Sequence, residues 1–176
     1  MEPTQISATV PDWSRERCRR WWDPSRRLLK AIRGYQKWSA RRGPIALILS
    51  RLCVIRHRFW SVVCGADVPL ECQLGGGLLL PHPNGVVVMP KARIGVNCLI
   101  FQQVTIGTVG SQSVAPIIGG HVDIGAGAKV LGGIRIGDHA KIGANAVVLC
   151  DVPPGATAVG IPARIVGDTH NLARAI

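Results

Sequence analysis

From Ile94 onward an aliphatic side chain returns at every sixth position: Ile94, Ile100, Ile106, Ile118, Ile124, Val130, Ile136, Ile142 and Val148, with one doubled step between Ile106 and Ile118. Glycine follows most of them directly, at Gly95, Gly107, Gly119, Gly125, Gly137 and Gly143. A helix alone repeats near 3.6 residues and a strand alone at 2. A sixfold beat requires a short strand and a tight turn repeated as one unit, each aliphatic buried against its counterpart in the next coil. The pattern predicts a mostly β chain, a parallel β-helix over residues 66–167. Pro153-Pro154-Gly155 closes the coil, Ala158 to Val166 reads as a last strand packing back along it, and residues 168–176 read as a tail.

An earlier series, Val68, Leu74 and Leu80, keeps the same beat, but its next member is Val88, eight positions on. The two extra residues fall within Pro81-His82-Pro83-Asn84-Gly85, whose prolines and Asn-Gly mark a bulge in the coil. Inside the doubled step, Gln112 stands where an aliphatic belongs, and Gly110-Ser111-Gln112-Ser113 reads as an extruded loop. Ahead of the coil the spacing becomes helical. Pro24, with Asp23 before it as a cap, starts a helix on which Leu28, Leu29, Ile32, Tyr35 and Gln36 follow until Gly43-Pro44 breaks it. A second helix is predicted from Pro44 to about Val63, dense in apolar positions and stopped by Gly65. Residues 24–65 therefore form an α-helical segment, and residues 1–23 read as a disordered basic N-terminus.

Charge sharpens this division. Residues 1–65 hold 14 Lys and Arg against 4 Asp and Glu, whereas residues 66–176 hold 7 against 6. All five tryptophans, Trp13, Trp21, Trp22, Trp38 and Trp60, lie in the front part. Trp21, Trp22, Arg26, Arg27, Lys30 and Arg33 could sit on a membrane surface, where aromatic and cationic side chains partition to the interface. A helical cap over the coil end with a solvated cationic face is the plainer reading, and no motif supports nucleic acid. The six cysteines are scattered without a CxxC pair, which excludes a disulfide framework and a zinc ribbon and reads as thiols in a reducing cytosol. No signal peptide is recognised at the start. The longest apolar run, Ile45 to Ile55, is too short to span a bilayer and contains Arg51. The expected location is cytoplasmic, with peripheral membrane contact as the variant.

A regular coil is structural, so chemistry is sought where the repeat breaks. His82 lies in the bulge between two prolines that restrict its backbone. Asp67 stands fifteen residues earlier. With about eighteen residues per triangular coil and coils about 4.8 Å apart, an Asp67–His82 hydrogen bond is feasible, and such a pair supports a general base near neutral pH. On spacing alone, an ordinary loop histidine remains open. His121 and His139, eighteen apart, would stack on one face one coil apart. A catalytic zinc site needs a third protein ligand, and no further His joins them at suitable spacing.

Residues 67–166 resemble the serine acetyltransferase family of hexapeptide-repeat acyltransferases. The resemblance is carried by Asp67-Val-Pro-Leu, Gly75-Gly-Gly-Leu-Leu-Leu-Pro-His82, Gly85-Val-Val-Val, Gln102-Gln-Val-Thr-Ile-Gly107, Ile124-Gly-Ala-Gly-Ala-Lys-Val-Leu-Gly132, Lys141-Ile-Gly-Ala144 and Val159-Gly-Ile-Pro-Ala-Arg-Ile-Val-Gly167. It implies a left-handed coil, a homotrimer with active sites in the grooves between subunits, and acetyl transfer from acetyl-CoA to an acceptor hydroxyl without a metal. It further implies His82 as the base with Asp67 orienting it, Gly107, Ala126 and Ala144 as the small residues of a coenzyme A groove, Lys141 or Arg164 at the phosphates, and Gln102 on the substrate side. Two positions depart from the family. The Asp before the catalytic His is Pro81, and the His of the extruded loop, followed by Pro116, is Ala115. These departures favour a sugar hydroxyl as acceptor, whereas the overall similarity favours L-serine. The remaining readings are a γ-carbonic-anhydrase-like metalloenzyme on His121 and His139, and a non-catalytic scaffold held at a membrane by its basic helices.

Overall fold

The computed structural model describes residues 6–110 and 114–168. The coil is a triangular prism whose three faces are sheets of very short strands. The first face stacks Gln73–Leu74, Arg93–Ile94, Ile117–Ile118 and Arg135–Ile136. The second stacks Leu99–Ile100, Asp123–Ile124, Lys141–Ile142 and Ala156–Val159, and ends in the antiparallel strand Arg164–Asp168. The third stacks Val87–Val88, Thr105–Gly107, Lys129–Leu131 and Val147–Val148. Coil strands pair in parallel, and the aliphatic of each pair points inward onto its counterpart, as in Ile94–Ile118–Ile136. The sixfold beat is this stacking.

Register shows where the coil swells. Asp123 pairs with Lys141 and Val87 with Thr105, eighteen positions apart. Gln73 pairs with Arg93, twenty apart, so the turn between Leu80 and Val87 takes up two extra residues. Leu99 pairs with Asp123, twenty-four apart, so the doubled step is a six-residue extrusion. Gly110 stands at the edge of that loop, and residues 111–113, which contain the predicted Gln112, lie outside the described residues. At two of the three corners one residue per coil adopts the left-handed conformation that turns a strand sharply. Asn97, His121 and His139 do so between the first and second faces, and Gln103, Gly127 and Asn145 between the second and third.

Helix α1 spans Pro24–Ser39 and α2 spans Pro44–Cys64, close to the predicted limits, and Gly65 ends α2 at φ 60°. Leu28, Leu29 and Ile32 of α1 join Trp60 and Cys64 of α2 and the coil aliphatics in one continuous apolar core. Polar contacts fix the docking. Gln36 Nε2 donates to the Cys72 carbonyl at 3.0 Å, and His57 Nε2 lies 2.8 Å from the Val68 carbonyl.

The front of the chain departs from expectation. Residues 6–23, expected to be disordered, run across the corner between the first and second faces. Asn97 Oδ1 accepts from the Asp12 backbone N–H at 2.8 Å, and Asn97 Nδ2 donates to the Ser7 and Val10 carbonyls at 2.7 and 2.8 Å. Glu16 accepts the Leu78 N–H at 3.1 Å and forms a two-pronged ion pair with Arg33. Arg33 also donates to the Leu74 and Gly75 carbonyls, each at 2.6 Å. The segment is held by polar groups that the coil corners would otherwise leave unpaired, which hydrophobic spacing does not reveal.

Candidate functional site

His82 projects from the two-residue bulge as an exposed side chain between Pro81 and Pro83. It borders a groove of about 830 Å³ whose opposite wall is the front segment, with Arg19, Arg20, Trp22 and Arg26. Arg26 is engaged, donating to the Arg15 carbonyl and pairing with Asp23 at 3.3 Å. Arg19 and Arg20 are exposed and turn the groove beside His82 electropositive. Sequence reasoning assigned the front segment no part in the site. The signal was the Arg-Arg-Trp-Trp run at 19–22, which carried no indication of where it folds back.

Asp67 lies on the third face, bridged to Val87. The bulge that presents His82 also lengthens this coil, so the residue stacked on Asp67 is Val87 and not one nearer His82. Both side chains are exposed, and no hydrogen bond joins them among the described residues.

The residues expected at the coenzyme groove divide between two corners. Ala126 and Ala144 stack one coil apart where the second face meets the third, joined by the Asn145 N–H to the Ala126 carbonyl at 2.8 Å. Lys141 is exposed on the strand leading to that corner, and exposed Arg164 pairs with Val159, whose side chain lies against Gly143. Gly107 is instead at the far end of the third face, opposite Leu131. Close by, Val109, Val114, Leu131 and Leu149 line an apolar groove of about 500 Å³. Gln102 sits in the turn below Ala126, its carbonyl accepting the Gly127 N–H at 2.8 Å. Its side-chain Oε1 is buried without a partner, as is Thr157 Oγ1 on the strand beside Lys141. The unpaired Gln102 Oε1 lies beside the Ala126–Ala144 corner, whereas the Thr157 hydroxyl, which can donate as well as accept, lies level with Lys141.

His121 and His139 stack as the spacing predicts, Nδ1 to Nδ1 at 2.8 Å. That contact is a hydrogen bond, one ring donating and the other accepting, so these two nitrogens are spent on each other. Burial holds His121 below the usual imidazole pKa against the opposing pull of Asp123. Among the described residues no three His, Cys, Asp or Glu gather to hold a metal ion.

Comparison with known proteins agrees with this architecture. The family model for the bacterial transferase hexapeptide (six repeats) matches residues 115–150. Serine acetyltransferase 5 of Arabidopsis thaliana is 47% identical over 135 residues, covering 76% of this chain and 41% of that protein. The solved structure of soybean serine acetyltransferase complexed with serine superposes with a TM-score of 0.69 at 40% identity, over 81% of this chain and 57% of the soybean chain. Over most of its length the chain is thus similar to the serine acetyltransferases, and its coil carries the hexapeptide-transferase repeat. A further family structure, a serine acetyltransferase in complex with CoA, matches with a TM-score of 0.69 at 34% identity over 83% of this chain and 58% of that one. The coil is thus the family's left-handed parallel β-helix, an exception to the right-handed rule for parallel crossovers. The chain spans about half the length of the curated relatives it matches, or somewhat less.

Proposed function

We propose that the protein transfers the acetyl group of acetyl-CoA to the hydroxyl of L-serine, with His82 as general base. The observation that carries this reading is His82, set by family-like flanking sequence on a bulge and opening onto an electropositive groove. His82 takes the hydroxyl proton as the oxygen attacks the thioester carbonyl. The tetrahedral intermediate expels coenzyme A as thiolate, and the imidazolium returns the proton to that sulfur. Asp67 orients the ring and stabilises its charged form, a contact that closes when substrate binds, since catalytic hydrogen bonds are often slack beforehand. Arg19 and Arg20 supply positive charge for the serine carboxylate, in place of the loop histidine that is Ala115 here.

The coenzyme would lie along the Ala126–Ala144 corner, where small side chains admit the pantetheine arm, with Lys141 or Arg164 at its phosphates. Gln102 Oε1 would accept a donor from the bound substrates. Gly107 and the apolar groove beside it occupy a different corner of the prism, so the two corners meet only when copies pack side by side. Exposed Met89, Val109, Val114 and Leu149 around that corner suit the trimer that this arrangement requires.

Thioester cleavage measured with L-serine and with a panel of sugars tests the reading. Serine-dependent turnover that falls at least ~100-fold in His82→Ala, with the assembly unchanged by size-exclusion chromatography, supports it. Equal turnover in the variant removes His82 from the chemistry. Turnover with a sugar and none with serine moves the acceptor to the reading that Pro81 and Ala115 favour.

A further inference from the structure

Helix α2 turns a continuous apolar stripe to the outside. Ile45, Ile48, Leu52, Ile55, Phe59 and Val62 fall within about a third of the helix circumference at 3.6 residues per turn. All are exposed, Ile55 at 65% and Val62 at 83%. The opposite side packs inward through Ala46, Trp60 and Cys64. Arg51 and Arg58 border one edge of the stripe and Arg56 the other, all three exposed. At its C-terminal end the stripe meets two exposed tryptophans, Trp22 and Trp21, through the buried ring of Trp60. Phe59 stacks edge-on against Trp60 at 5.0 Å, Trp60 against Trp22 at 5.5 Å, and Trp22 against Trp21 at 5.9 Å. Trp21 is 81% exposed. An apolar surface of this length, left outside a well-packed core, marks a docking face.

Charge decides what covers it. No Asp or Glu occurs between Asp23 and Asp67, a stretch that contains both helices and ten Lys and Arg. A second copy docking stripe to stripe would bring arginine against arginine with no carboxylate to pair. An anionic lipid surface supplies negative charge in excess and an apolar layer for the stripe. Trp at the rim and Arg flanking an apolar helix face are the composition of a helix lying in a membrane interface. Among the described residues no helix is long and apolar enough to cross a membrane. We propose that the outer face of α2, continued by Trp22 and Trp21, is a peripheral docking surface for anionic phospholipid bilayers. The surface overlaps only in part the one the sequence pointed to: Trp21 and Trp22 belong to both, whereas Arg26, Arg27 and Arg33 are engaged by Asp23, the Trp21 carbonyl and Glu16, and the apolar face of α1 is buried through Leu28, Leu29, Ala31 and Ile32.

Cosedimentation of the full chain with phosphatidylglycerol–phosphatidylcholine vesicles and with pure phosphatidylcholine vesicles, near 0.1 M salt, tests this. Binding to the anionic vesicles at least ~10-fold tighter than to the neutral ones is expected, with a loss of similar size in Ile48→Ser/Leu52→Ser/Ile55→Ser and in Arg51→Glu/Arg58→Glu. These side chains are exposed, so both variants are expected to keep the wild-type circular dichroism; the charge variant stands alone if the serine variant does not fold. Wild-type protein that fails to pellet with anionic vesicles, or pellets equally with neutral ones, overturns the proposal. So does a smaller assembly in the serine variant with vesicle binding intact, which would give the stripe to a second copy.

Discussion

Asn97 is the residue on which the front of the chain turns. It is 1% exposed and sits at φ 59°, a conformation that asparagine tolerates better than most residues. Its side-chain amide is fully used, accepting from Asp12 and donating to Ser7 and Val10. Asn97→Ala removes three hydrogen bonds, takes the side-chain partner from the Asp12 N–H and from the Ser7 and Val10 carbonyls, and places a Cβ residue without a stabilising polar group in the left-handed region. At about 1 kcal/mol per bond plus about 1 kcal/mol for the backbone, the expected loss is about 3–4 kcal/mol. Denaturant unfolding checks this. A loss under ~1 kcal/mol would mean that the front segment detaches without consequence for the coil. His82 has the opposite character: exposed and, among the described residues, without a hydrogen-bond partner, it is free to meet a substrate.

At the scale of the repeating coil, the constraint is backbone on backbone. Gly75, Gly95, Gly119 and Gly137 form a column directly after the inward aliphatics of the first face. A methyl group added at Gly95 would collide with the main chain of Gly119 and Gly120, which cannot rotate away as a side chain could. Gly95→Ala is therefore expected to cost about 3 kcal/mol or more, at the upper end of overpacking effects. Gly110→Ala provides the contrast, because no atom of the described residues lies within 4 Å of its added Cβ. Its cost is limited to left-handed strain, about 1 kcal/mol. Urea midpoints for the two variants separate these cases, and equal shifts would show that the column is not tightly packed.

The same stacking explains what was legible in the sequence. Faces, phase slips and helix limits were readable because each coil must place an aliphatic on the one below, which writes a period into the chain. The front segment was not readable, since Ser7, Asp12 and Glu16 serve corner amides and carbonyls at irregular spacing. The expected stacking of Asp67 near His82 assumed a regular coil, whereas the bulge that displays His82 also lengthens the coil containing Asp67. The His121–His139 contact was legible because that stretch is regular. The grouping of Gly107 with Ala126 and Ala144 came from family resemblance, and the triangular cross-section divides it between corners.

Across the whole molecule, helices and coil share one core, and three free thiols are distributed along it. Burial pushes Cys64 from 9.0 up to about 11, Cys72 up to about 12, with Glu71 and Asp67 adding to the rise, and Cys98 up to about 11. A thiol with a raised native pKa keeps its proton after the unfolded chain has lost its own. Above about pH 9 the native state therefore binds more protons than the unfolded state, and stability falls as pH rises. The contribution is fully present below that point and is lost progressively through about pH 11–12. Because all three thiols report on one core, they are expected to act together, giving a single unfolding transition whose midpoint declines between pH 8.5 and 10. In Cys64→Ala/Cys72→Ala/Cys98→Ala the starting stability is lower, but the decline over this interval should flatten, which separates the thiols from lysine and tyrosine titration at higher pH. An unchanged slope in the triple variant would mean that these thiols ionise alike in both states, and that the core around them is open to water.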